Sequence, residues 1–171
     1  MDAHTTTLME VCCLCPRECG VNRFVETGYC GGGAAARVNL HRLHLWEEPV
    51  ISGTGGSGTI FFSRCTMACA YCQNYRISQE ERGTERSVPE LAAMMLELQE
   101  AGAHNVNLVT ASHFTPQAAE AIRLARARGL RVPVLWNSNA YEKPGTLRML
   151  EGLVDIYLPD FRYIDSNAAE Q

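Results

Sequence analysis

Thr59-Ile60-Phe61-Phe62-Ser63-Arg64-Cys65-Thr66-Met67-Ala68-Cys69-Ala70-Tyr71-Cys72-Gln73-Asn74 joins an apolar, strand-like run to three cysteines in the spacing C-x3-C-x2-C. Three thiolates can hold three corners of a cubane iron–sulfur cluster, whereas an electron-transfer cluster of that kind takes four cysteines. A set of three leaves one iron open to a small molecule. The rest of the chain can be read as the scaffold for that open corner.

Downstream of the cysteines the pattern is regular. Ser87-Val88-Pro89-Glu90 is a capping box with proline in the first turn. It opens a helix with Leu91, Met95 and Leu98 on one face. The Met94-Met95 pair reads as core, and Gly102 ends the helix. Val106-Asn107-Leu108-Val109 is strand-like. Thr115-Pro116 starts a second helix with Ala118, Ile122 and Ala125 on one side. Arg123, Arg126 and Arg128 lie off that side and read as a solvated face. After Gly129 come the strand Val132–Trp136, a short helix around Thr146–Leu150 and the strand Val154–Leu158. Strands alternating with helices imply right-handed βαβ units and a parallel sheet. Such sheets carry their sites on the loops after the strand C-termini. Here those loops are Cys65–Asn74, Thr110–Phe114, Asn137–Glu142 and Pro159–Tyr163, and they are expected to share one mouth. The expected fold is α/β: a partial, TIM-like (βα) barrel with about four parallel strands.

Upstream the chain changes character. Residues 1–10 read as disordered or loosely attached. Cys12-x2-Cys15-x3-Cys19-x10-Cys30 has the irregular spacing of a small metal-stapled module, with Cys13 as an extra thiol. Spacing alone leaves a structural zinc, an auxiliary cluster and free thiols all open. Residues 34–50 look like a short extended region, in which His41 and His44 read as surface or core histidines. Ser52-Gly53-Thr54-Gly55-Gly56-Ser57-Gly58 lacks the Gly-Lys-Ser/Thr ending of a phosphate loop, so it reads as a tight turn leading into a strand. Two regions are therefore expected: a Cys-rich N-terminal module over 1–50 and the partial barrel over 51–171.

Composition narrows the class. The net charge of -4 and pI near 5.7 argue against a nucleic-acid binder. No apolar run approaches membrane-spanning length, so no membrane partner is expected. The start lacks a basic n-region and an apolar h-region, which implies a cytoplasmic protein. Eight cysteines in such a compartment favour metal sites over disulfides.

The cysteine loop, with Tyr71 just before its third cysteine and a strand just before its first, resembles the radical S-adenosylmethionine (radical SAM) superfamily. The flanking words Cys15-Pro16-Arg17-x-Cys19-Gly20-Val21-Asn22-Arg23, Gly28-Tyr29-Cys30-Gly31, Cys72-Gln73-Asn74-Tyr75-Arg76-Ile77-Ser78, Asn105–Thr110 and Asp155–Phe161 look like an uncharacterised branch related to the pyruvate formate-lyase activating enzymes. The resemblance implies that Cys65, Cys69 and Cys72 bind a [4Fe–4S] cluster whose open iron takes S-adenosylmethionine. One electron would then release methionine and a 5′-deoxyadenosyl radical that abstracts hydrogen from a substrate, in a glycyl-radical-activase-like reaction. It implies cofactor contacts at Tyr71 and Asn74, and at Thr110 and Ser112, where the family carries a Gly-Gly-Glu type segment. Asn137, Asn139, Asp160 and Arg162 complete the implied set. It further implies a reductant such as flavodoxin or ferredoxin and a protein or small-molecule substrate. Residues that act on the substrate are not implied. Cys12, Cys15, Cys19 and Cys30 would form a second metal site, for zinc or an iron–sulfur cluster. Relatives close more of the barrel than this chain supplies, so the chain looks C-terminally truncated. The alternative is a non-catalytic iron–sulfur or zinc module, or an inactive fragment of such an enzyme, with a fourth ligand such as Cys30 or His113 closing the cluster.

Overall fold

A computed structural model describes residues 3–80, 82–165 and 167. In chain order the elements are α1 (Ala3–Glu10), β1 (Ala36–His44), α2 (Pro49–Ser52), β2 (Ser57–Phe62), α3 (Tyr75–Ser78), β3 (Thr84–Arg86), α4 (Val88–Glu100), β4 (Val106–Val109), α5 (Thr115–Ala127), β5 (Val134–Ser138), α6 (Pro144–Leu147) and β6 (Ile156–Pro159). Single 3-10 turns lie at Ser112–Phe114 and Arg148–Leu150.

The strands form one six-stranded sheet in the order β3-β1-β2-β4-β5-β6. The four strands expected to be parallel are so: β2, β4, β5 and β6 pair in parallel. β1 and β3 extend the β2 edge with antiparallel pairing. The result is an open mixed sheet. Thus β1, which lies within the cysteine-rich first 50 residues, is hydrogen-bonded into the sheet next to β2.

Alternation sets the core. Ile60 and Phe62 of β2, Val106 and Leu108 of β4, and Val134 and Trp136 of β5 are buried in one apolar cluster with α4 and α5. α4 contributes Leu91, Met94, Met95 and Leu98, and α5 contributes Ala118, Ala121, Ile122 and Ala125. The small alanines let α5 pack closely. The capping box forms as read: Ser87 Oγ accepts from the Glu90 N–H and Glu90 Oε2 accepts from the Ser87 N–H at 2.8 Å.

Two readings need correction. Residues 3–10 form α1 instead of a loose end. Thr5 and Met9, one turn apart, are buried, and Gln117 Nε2 approaches Met9 Sδ at 3.4 Å. Arg126 does not sit on a merely solvated face: Nη1 donates to the carbonyls of Leu130 and Val132 and Nη2 to Asp155 Oδ2 at 2.8 Å. It staples the α5–β5 connection. Among the described residues no helix is long and apolar enough to cross a membrane.

Candidate metal and cofactor centre

The cysteine loop leaves the C-terminal end of β2, and the chain turns there at backbone cost. Arg64 and Ala68 have φ of 72° and 55°; Thr110 after β4 has 57° and Ala140 after β5 has 59°. Left-handed conformations at non-glycine residues gather at sites the surroundings must hold in place. All four sit in loops that follow strands of the parallel set.

Hydrogen bonds link these loops pairwise. Asn139 Nδ2, 74 residues from Cys65, donates to the Cys65 sulfur at 3.3 Å and to Thr66 Oγ1 at 3.1 Å. The Thr110 N–H donates to the Asn137 carbonyl at 2.8 Å, and the Asp160 N–H to the Ser138 carbonyl at 2.9 Å. Ser112 Oγ donates to Glu142 Oε1 at 2.6 Å. Tyr71 and Tyr163 join their hydroxyls at 2.7 Å, which pushes the Tyr71 phenol pKa up. The β2, β4, β5 and β6 loops therefore meet at one end of the sheet.

Cys65, Cys69 and Cys72 are free and half-buried. The Cys65 sulfur also lies 3.4 Å from the Met67 N–H, and the Cys72 sulfur 3.3 Å from Ser78 Oγ. Among the described residues no three His, Cys, Asp or Glu side chains are gathered around a point that could hold a single ion. A cubane makes no such demand, because each thiolate binds its own iron. Three reachable thiols, polar donors on two of them and no fourth cysteine in the loop fit a cluster with one open corner.

The other sequence-derived residues separate into groups. Asn139, Thr110, Ser112 and Asn137 lie in the joined loops. Asp160 and Arg162 form an ion pair with each other at the exposed β6 end. Asn74 is exposed and lines a different cavity, of about 500 Å³, with Asn39, Tyr75 and Arg76. His113 is fully buried. Its Nε2–H donates to the Ser63 carbonyl at 2.9 Å, and burial drives its pKa down to about 3. With Nε2 committed to that carbonyl, Nδ1 is the ring nitrogen left without a hydrogen-bond partner.

Sequence reasoning missed Glu142. Its carboxylate accepts from Ser112 Oγ, from Trp136 Nε1 at 2.7 Å and from Ser138 Oγ at 2.7 Å. It also missed two arginines of the N-terminal words. Arg17 Nε donates to the Thr66 carbonyl at 3.1 Å, while its guanidinium lies over Tyr29 and Tyr141. Arg23 is buried, and its Nη1 donates to the His113 carbonyl. The only sequence signal was their place in polar loop words; burial and partners are tertiary facts. Cys30 and Cys65 line one cavity of about 480 Å³ between the two cysteine groups.

Comparison with known proteins agrees with this geometry. Residues 59–161 match the family described as the radical SAM superfamily. The chain is also 31% identical over 166 residues to an uncharacterized protein of Methanocaldococcus jannaschii, covering 94% of this chain and 48% of the relative. It thus spans about half the length of the curated relative it matches.

Proposed function

The chain belongs to the radical SAM superfamily, and from that premise we propose that Cys65, Cys69 and Cys72 hold a [4Fe–4S] cluster whose open iron binds S-adenosylmethionine. When bound, the cluster supplies one-electron cleavage of the sulfonium, giving methionine and a 5′-deoxyadenosyl radical for hydrogen abstraction. The chain's residues supply position. Asn139 orients Cys65 and Thr66 through its two hydrogen bonds. Glu142 fixes the Ser112 and Ser138 hydroxyls, and with them the loop after β4 and the end of β5, where the cofactor contacts implied at Ser112 and Asn139 would be held. The bond from Asn139 to the Cys65 sulfur carries the reading, because it joins an implied cofactor residue to an implied cluster ligand.

The finer reading is that of an activating enzyme which abstracts hydrogen from a glycine of a protein substrate. The flanking words of the resemblance support it. A flavodoxin or ferredoxin supplies the electron, in the cytoplasm. Cys12, Cys15, Cys19 and Cys30 hold a second metal.

Anaerobic reconstitution with iron and sulfide, reduction, and addition of S-adenosylmethionine test the proposal. The expected result is a changed cluster EPR signal on cofactor addition, followed by release of 5′-deoxyadenosine. An EPR signal indifferent to the cofactor would overturn the open-corner assignment and favour the non-catalytic module.

A further inference from the structure

Thr66, the residue after Cys65, is fully buried and is held from two sides. From the loop after β5, Asn139 Nδ2 donates to Thr66 Oγ1 at 3.1 Å and to the Cys65 sulfur at 3.3 Å. From the N-terminal segment, 49 residues away, Arg17 Nε donates to the Thr66 carbonyl at 3.1 Å. The two holders are themselves joined. The Tyr141 N–H donates to Asn139 Oδ1 at 3.0 Å, and the Arg17 guanidinium carbon lies 5.4 Å from the centroid of the Tyr141 ring. Contacts therefore run round a closed ring of Arg17, Thr66, Asn139 and Tyr141. Cys65 is attached to that ring twice, by its backbone to Thr66 and by its sulfur to Asn139. The Tyr29 ring adds a second aromatic surface, 4.2 Å from the same guanidinium carbon.

The cysteine loop needs such holders. Arg64 and Ala68, on either side of Thr66, both take the left-handed backbone, which persists only where the surroundings over-determine it. The Arg64 end is fixed by its N–H to the Ile77 carbonyl at 2.9 Å, and the Cys69 end by Gln79 Nε2 to the Cys69 carbonyl at 2.9 Å. Arg17 takes the Thr66 carbonyl between them. Its own segment is anchored on both sides: Thr146 Oγ1 donates to the Leu14 carbonyl at 2.8 Å, and Lys143 pairs with Glu18. Arginine suits the position. A planar guanidinium can give Nε to a carbonyl while its face lies over aromatic rings, which a compact ammonium cannot do. Although Arg17 is exposed, its side chain is thus placed by one hydrogen bond and two rings.

We propose that Arg17 is a positioning residue of the three-cysteine centre. It holds the Thr66 carbonyl and, through Tyr141 and Asn139, the Cys65 sulfur, which makes the N-terminal segment a working part of the centre's geometry. The role deepens the cluster reading above and rests on it for what the loop binds; the hold on Cys65 itself exists in the metal-free chain.

The test begins with the full chain free of metal. Alkylation of Cys65 by iodoacetamide, followed by peptide mass spectrometry, should be at least about fivefold faster in Arg17→Gln, because a charge-assisted hydrogen bond no longer closes the loop. Cys72, whose sulfur lies against Ser78 Oγ outside the ring of contacts, should change by less than about twofold. The sign is informative. Removing a cation lowers the thiolate fraction and slows alkylation, so a faster Cys65 reports loosening. Arg17→Lys should behave like Arg17→Gln, because it keeps the charge and loses Nε. In the reconstituted chain, with iron content as in the parent, both variants should need at least about threefold more S-adenosylmethionine for the cluster's EPR change. Arg131→Gln, an exposed arginine at the other end of β5 from Asn139, should match the parent. Arg17→Gln combined with Asn139→Ala should weaken cofactor binding no more than the larger single change, since both release Thr66. Unchanged alkylation of Cys65, equal acceleration at all eight cysteines, or full restoration by lysine would overturn the proposal. An EPR signal in the parent that ignores S-adenosylmethionine would overturn the cofactor reading instead, and alkylation would still decide the role of Arg17.

Discussion

Glu142 collects three donors, one from the loop after β4 and two from β5, so the identity of its second oxygen matters. In Glu142→Gln one acceptor oxygen becomes an NH2 group: on the Oε1 side it faces the Trp136 indole N–H, donor against donor, and on the Oε2 side it takes away the acceptor of the Ser138 hydroxyl. Leaving such a group unpaired costs about 1–3 kcal/mol. We expect cluster iron at Cys65, Cys69 and Cys72 to be unchanged and S-adenosylmethionine to bind roughly tenfold more weakly, as 1.4 kcal/mol implies; titration of the cofactor-dependent EPR change measures it. His113 makes a pH prediction. Its folded pKa, near 3, lies below the ordinary imidazole value because burial disfavours the cation. The stabilising contribution is therefore complete above the unfolded pKa of about 6.5 and is lost as pH falls towards the folded value. Stability should drop by about 1.4 kcal/mol per pH unit below about pH 6 from this group. Urea unfolding of parent and His113→Gln between pH 7 and 5 should show the shallower slope in the variant; equal slopes would remove His113 as the cause.

At the scale of elements, α4 depends on a cap that sequence already spells out. Ser87→Ala removes the acceptor for the Glu90 N–H and should destabilise the chain by about 1 kcal/mol, while Ser87→Asp, also a good cap, should stay close to the parent. Thermal unfolding distinguishes the two. The same local chemistry explains which elements are readable in advance. The four parallel strands and the two long helices carry their own signals: apolar runs, a capping box, and glycines at 102 and 129 with φ of 90° and 103°. β3 carries none, since Thr84-Glu85-Arg86 is polar and forms through backbone bonds to β1. β1 hides its alternation behind an irregularity between Val38 and Leu40, which puts His41 opposite Ile60 and in contact with Glu97 at 2.9 Å. Among the described side chains α1 buries Thr5 and Met9, too little periodicity to declare a helix. The site divides likewise. Cys65, Cys69 and Cys72 are legible because spacing alone specifies their chemistry. Glu142 and Arg23 are not, because a carboxylate with donors up to 30 residues away and a cation held by distant backbone carbonyls look like any loop charges until the chain is folded.

Across the whole molecule, the apolar core and the cysteine groups occupy different parts of the fold. The main buried cluster joins one face of the sheet to α4 and α5 and contains none of the eight cysteines. The cysteines lie instead in two loop regions outside the regular elements, tied to one another and to the strand ends by single hydrogen bonds such as Arg17 to Thr66 and Arg23 to His113. Regions with few buried apolar contacts open locally at low cost, whereas core strands open only with global unfolding. A ligand that binds only the folded arrangement of such loops stabilises them by mass action. Iron removal by a chelator should therefore leave the far-UV circular dichroism nearly intact. Amide exchange should accelerate at least about tenfold over residues 12–33 and 63–79, and stay unchanged in α4, β4 and α5. If chelation instead unfolded the sheet, the clusters would be part of the core's stability rather than tenants of its loops. If only 63–79 responded, the N-terminal cysteines would hold no metal that the chelator removes.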